Sequence, residues 1–133
     1  MKLLNIVAIT VLLAGCSDGQ KAISGQDVMT QLQQTGVAIN DVTTADPAKK
    51  SPVPNSYKEW LSFSIPQVAP SGGQVFICER KEYCNAIYAY FDGYRGLVGP
   101  YLYKSKNGLI VMQLNSGLTP DIAEKLEAVV MKY

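Results

Sequence analysis

Few side chains in this 133-residue sequence are equipped for covalent or metal chemistry. Histidine is absent, which removes the usual general base near neutral pH and the commonest transition-metal ligand. The thiols are Cys16, Cys78 and Cys84. Cys78 and Cys84 lie close in the chain, but two sulfurs without His or a further Cys cannot complete a tetrahedral zinc shell. Five residues separate them, unlike the C-x-x-C arrangement that lowers a thiol pKa at a helix start. Ser62, Ser64, Ser71 and Ser116 lack any histidine partner. Gly72-Gly73 is not followed by the Lys and Ser/Thr of a phosphate loop. Pairs such as Glu79 with Glu82, or Asp121 with Glu124, read as ordinary helix-end charges. No catalytic residue, metal site or cofactor is therefore expected, and the chain is read as a non-enzyme.

The first thirteen residues have a different character. Met1-Lys2 supplies a short positive start, and Leu3 to Leu13 is an apolar run interrupted only by Asn5 and Thr10. A membrane-spanning helix needs about 20 apolar residues, so this run fits the core of a signal peptide. It ends in Leu13-Ala14-Gly15-Cys16. These four residues resemble, position by position, the lipobox of bacterial lipoprotein precursors. The resemblance implies cleavage before Cys16, a diacylglyceryl group on its thiol, fatty acyl chains such as palmitate, and a membrane as the first partner. Ser17 follows; under the enterobacterial sorting rule an Asp there favours inner-membrane retention, so Ser17 implies the outer membrane, facing the periplasm, in a cell that has one. Residues 17–25 are small and polar and read as a flexible tether reaching about 30 Å at most.

Export places Cys78 and Cys84 in an oxidising compartment, where an even pair is usually bridged. One follows an apolar strand and the other falls in the first turn of the next helix, so a short reversal can bring them within disulfide range. The competing reading is a pair of reduced thiols packed as small apolar groups. Tyrosine is abundant as well: Tyr83, Tyr88, Tyr90, Tyr94, Tyr101 and Tyr103 fall within one stretch. Tyrosine clusters mark interfaces because each ring offers contact area and a polar handle. Tyr90, Tyr94, Tyr101 and Tyr103 nevertheless fall on expected core faces. Tyr88 falls off that stripe near Asp92 and Arg95, and these three form the candidate contact surface.

The elements that must position these residues follow from pattern. Ser24 with Asp27 approximates a capping box, and Val28, Met29 and Leu32 repeat at helical spacing until Gly36. Val37, Ile39 and Val42 suggest an extended segment. Residues 46–55 hold three prolines and read as a loop. Leu61, Phe63 and Ile65 alternate with serines as in a half-buried strand, and Val75 to Cys78 is an apolar run fit for an inner strand. From Lys81, residues Ile87, Tyr90, Phe91, Tyr94 and Val98 share one helical face up to the stops at Gly96 and Gly99-Pro100. Asn107-Gly108 predicts a two-residue hairpin turn that pairs Tyr103 with Met112 and Tyr101 with Leu114. Lys104, Lys106, Gln113 and Asn115 then fall on the other, wet face. Thr119-Pro120-Asp121 starts a last helix whose core stripe is Ile122, Leu126, Val129 and Val130.

The expected fold is α+β, an antiparallel sheet of about four to five strands covered on one face by about three helices. The expected organisation is a signal peptide over 1–15, a lipidated cysteine and tether over 16–25, and one globular domain over 26–133. Hydrophobic residues make up 47% and charged residues 17%, ordinary for a globular protein. Without Lys2 the acidic and basic side chains balance, so charge offers no reason to expect nucleic acid as a partner.

From Ser24 onward the chain resembles a group of small, uncharacterised bacterial envelope lipoproteins. The shared stretches are the Gly36-Val37 turn, Gly72-Gly73 leading a strand into a long helix, the Tyr101-Leu102-Tyr103 hairpin, and Gly117-Leu118-Thr119-Pro120 before a helix with Ala123. The resemblance implies a fold and brings no activity or residue role. This chain departs from the group in its two cysteines and longer hairpin strands. The expected function is a membrane-tethered, non-catalytic binding module of the envelope with a protein partner there. One version is a phage- or plasmid-exclusion lipoprotein; an inhibitor or chaperone of an envelope enzyme is the alternative.

Overall fold

The computed structural model describes residues 21–133. The expected leader, the Leu13–Cys16 box and Cys16 itself lie outside the described residues. Helix α1 (Gly25–Gln33) is capped by Ser24, whose hydroxyl accepts the Asp27 N–H at 3.1 Å. It is followed by β1 (Asn40–Thr44), β2 (Glu59–Ser64) and β3 (Gly72–Ile77), then α2 (Lys81–Gly93) and a short α3 (Arg95–Val98). The chain closes with the hairpin β4 (Leu102–Lys104) and β5 (Ile110–Leu114), and with α4 (Pro120–Val130). The strands form one open antiparallel sheet in the order β1-β2-β3-β5-β4, an α+β fold.

The helices differ from expectation in one respect: they cover both faces of the sheet. Alternation along a strand sends successive side chains to opposite sides. Val75 and Ile77 of β3, with Ile110, Met112 and Leu114 of β5, meet Val28, Met29 and Leu32 of α1 and Leu126, Val129 and Val130 of α4. Phe76 and Val111, with Leu102 of β4, meet Cys84, Ile87 and Phe91 of α2 on the other side. Val75 to Ile77 of β3 and Ile110 to Met112 of β5 are therefore continuous apolar runs, as segments covered on both faces must be, while Gln74 and Gln113 stand where α2 no longer covers the sheet. The face expected to be wet is open only beyond the reach of α2.

Three further details depart from the sequence reading. Helix α2 ends at Tyr94 (φ −110°, ψ 17°) and the chain restarts as α3, Gly93 and Gly96 both being poor helix formers. Tyr94 is consequently 48% exposed and leaves the core stripe, and Leu97 of α3 is 84% exposed. The hairpin keeps the expected register, Tyr103 opposite Met112, but only Gly108 takes a positive φ (75°). The turn closes through the Gly108 N–H to the Ser105 carbonyl at 3.0 Å, with the Asn107 carboxamide oxygen accepting from the Leu109 N–H. Within the proline-rich loop Val53 is buried in the α2-side core, and β1 is exposed along its whole length.

Tyr101 and Tyr103 pack against the α1/α4 side as expected, and the Tyr101 hydroxyl donates to the Leu118 carbonyl at 3.1 Å. Partial burial, then the Glu127 carboxylate, push Tyr103 up to about 12. Folded and unfolded chains both carry this phenol protonated at neutral pH, so it contributes no pH dependence there. Above pH ~10 the unfolded chain ionises first, and stability falls until pH ~12, by roughly 1–2 kcal/mol after allowance for solvent screening. Chemical denaturation across this range should show the fall, and Tyr103→Phe should flatten it while leaving neutral-pH stability nearly unchanged.

Candidate functional site

Cys78 and Cys84 form a disulfide with Cα atoms 5.7 Å apart. Cys78 follows β3, its N–H donating to the Leu109 carbonyl, and Cys84 lies in the opening turns of α2. Both are buried. The bond closes the strand-to-helix reversal, and a loop this small is stabilised by about 2 kcal/mol in the chain-entropy model. Reduction with dithiothreitol is expected to lower the unfolding free energy by about that amount; an unchanged denaturation midpoint would show that the bridge is dispensable.

Tyr88, Asp92 and Arg95 follow one another at helical spacing along α2 and into α3, and the fold brings them together. The Arg95 guanidinium pairs through Nε with the Asp92 carboxylate. Its Nη2 donates to the Tyr88 hydroxyl at 3.0 Å and its Nη1 to the Pro100 carbonyl at 3.3 Å. The Asp92 hydrogen bond raises the Arg95 pKa further, overriding the small effect of burial. Local sequence could not have shown the rest of the cluster. Lys104 reaches across from the edge strand β4, its Nζ 4.9 Å from the Tyr88 ring centroid and donating to Asn85 Oδ1 at 2.9 Å. The only hint was its placement on the hairpin face opposite Tyr103. Tyr88 is half-buried against the α2-side core, while Asp92 and Arg95 are exposed.

This surface offers fixed charge and aromatic area. Arginine and tyrosine dominate protein interfaces because they combine contact area with directional donors. Here the guanidinium is already oriented, so binding costs less side-chain entropy than it would for a free arginine. Lys21, Ala22 and Ile23 line a cavity with Asn107, Leu109 and Tyr133, beside the hairpin turn; Arg95 and Pro100 precede β4, and Lys104 ends it next to that turn.

A second arrangement of polar side chains crosses the α2-side face where that helix leaves it open. The Trp60 indole N–H donates to Gln74 Oε1 at 2.9 Å, and Gln74 Nε2 donates to Gln113 Oε1 at 2.9 Å. Gln113 Nε2 in turn donates to the Leu114 carbonyl at 2.8 Å and the Val98 carbonyl at 3.3 Å. The ladder joins β2 and β3, which are consecutive in the chain, to β5, which α2 and β4 separate from them, and no spacing along the chain announces that last step.

Among the described residues, no group of three or more His, Cys, Asp or Glu side chains is placed to hold a metal ion. No helix among them is long and apolar enough to cross a membrane. No family model, curated protein or solved structure matches the chain.

Proposed function

We propose that the chain is exported, anchored to a membrane of the bacterial envelope by lipid on Cys16, and acts there as a non-catalytic binding module. The Leu13-Ala14-Gly15-Cys16 box after an apolar run supports the anchorage. The Cys78–Cys84 disulfide accords with an oxidising compartment, since such bonds are rare in the reducing cytosol. The observation that carries the binding reading is the pre-oriented Arg95, held at an exposed surface by Asp92, Tyr88 and the Pro100 carbonyl. Exclusion of phage or plasmid entry, or inhibition of an envelope enzyme, are two uses to which such a surface is suited.

The test is affinity capture from envelope extract with the full chain and with Arg95→Glu, alongside phage adsorption and injection assays in cells expressing either form. Charge reversal at a central interface arginine is expected to weaken capture of a stoichiometric partner by about 2 kcal/mol or more, roughly thirtyfold. A change in phage injection with the wild-type chain alone identifies the exclusion role. Identical capture profiles for both forms would rule out this surface.

A further inference from the structure

Beyond the Tyr88–Asp92–Arg95 surface, we infer that the open part of the α2-side sheet face is a binding site for an uncharged glycan chain. It is a shallow trough of about 270 Å³, and every residue lining it is uncharged. Ser62, Ser71, Gln74, Gln113 and Asn115 supply hydroxyl and carboxamide groups, and Gly72 lets β3 approach the β2 backbone at Phe63 to Ile65, where a Cβ would collide.

Four features decide the chemistry of the occupant. A charged ligand entering the trough would lose hydration with no counter-charge to replace it, which is costly. A protein segment would look for an apolar anchor pocket, but Phe63 and Pro70 are the only large apolar residues in the lining. Strand addition requires a free sheet edge, whereas Gln74 and Gln113 stand on β3 and β5, two of the three inner strands. A neutral sugar, whose hydroxyls both donate and accept, matches side chains that do the same.

The Gln74 and Gln113 carboxamides are also set in place before any ligand arrives. The indole of Trp60 fixes Gln74, Gln74 fixes Gln113, and two backbone carbonyls hold the far end. Gln74 uses one N–H of its amide in this ladder, leaving the second for a ligand. Fixed donors of this kind reduce the ordering that binding requires. Asp41, the acidic group beside the next row of the sheet, is held by the Ser64 hydroxyl at 2.6 Å.

This site gives the binding-module reading a ligand, yet it does not depend on lipid attachment. Failure at Cys16 and failure at the trough are therefore read out by separate experiments. Trp60 is the single tryptophan of the chain and belongs to the ladder, so its emission reports on the site directly. The experiment titrates the full chain, kept in a non-glycosidic detergent, with N-acetylglucosamine oligomers, glucose oligomers and dextran sulfate. Trp60 emission and the Gln74 and Gln113 side-chain amide NMR signals are followed. The expected result is a saturable change with at least one of the two neutral oligomers, which also tells which sugar is preferred, and none with the sulfated polymer. The Gln113 N–H groups are already taken by the Leu114 and Val98 carbonyls, so Gln113→Leu removes the acceptor that orients the Gln74 amide and should weaken binding about tenfold. Ser62→Ala, which leaves the ladder whole, is the second variant should Gln113→Leu not fold, and should weaken binding severalfold. No response to either neutral oligomer by the folded wild-type chain, or a response to dextran sulfate instead, overturns the assignment.

Discussion

Cys16→Ala is expected to shift the chain from the membrane fraction to the soluble fraction, or to leave it as an uncleaved precursor. The effect is large because, under the proposed anchorage, the substitution removes the anchor outright. One myristoyl-length chain gives only marginal, reversible membrane binding, at about 10⁴ M⁻¹. Each additional buried CH₂ adds about 0.8 kcal/mol, so the two or three acyl chains of a bacterial lipoprotein make dissociation negligible. Among the described residues, no helix is long and apolar enough to cross a membrane. Fractionation of cells producing the wild type and the variant, with radiolabelled palmitate incorporation, checks both consequences. Equal membrane association of the two forms would mean that another part of the chain holds the membrane.

The largest expected loss of stability follows Phe76→Ala. The side chain is fully buried at the centre of the α2-side core. Its ring lies 5.1 Å from Trp60, 5.6 Å from Phe91 and 5.9 Å from Tyr57, centroid to centroid. Truncation removes the transfer energy of the ring, leaves a cavity under α2 and breaks three aromatic contacts. Substitutions of this kind cost about 3–5 kcal/mol, a large share of the 5–15 kcal/mol typical of a whole domain. Guanidinium denaturation should show the midpoint falling with little change in slope. A loss below about 1 kcal/mol would mean that the α2 side collapses around the cavity or contributes little to the fold.

Elements whose signals are local were legible before any coordinates. Ser24 caps α1 as read, and the Asn107-Gly108 dipeptide set the register that places Tyr103 opposite Met112. The break at Tyr94 was less legible, because Ile87, Tyr90, Phe91 and Tyr94 keep a helical period that two flanking glycines override. The placement of helices on both faces is not legible from Lys104, Lys106, Gln113 and Asn115, whose polarity signals a solvent-facing side of the hairpin. Val111 and Leu102, on that same face, carried the contrary signal: both are buried under α2. Continuous apolar runs such as Val75 to Cys78 already require cover on both sides.

The candidate sites divide along the same line. Tyr88, Asp92 and Arg95 are spaced four and three residues apart across the end of α2 and the start of α3, a spacing that brings them together despite the break at Tyr94. Lys104 joins them only because the edge strand β4 packs beside α2. The Trp60–Gln74–Gln113 ladder depends on strand order, which places β5 beside β3 although α2 and β4 intervene in the chain. A long-range pairing of this kind has no local signature.

The proposal as a whole rests on an anchored chain, and the mass of its amino-terminal peptide, purified from the membranes of producing cells, tests that most directly. The account predicts a peptide that begins at Cys16 and carries a diacylglyceryl group and fatty acyl chains. An unmodified Cys16, with the first fifteen residues still attached, would contradict it.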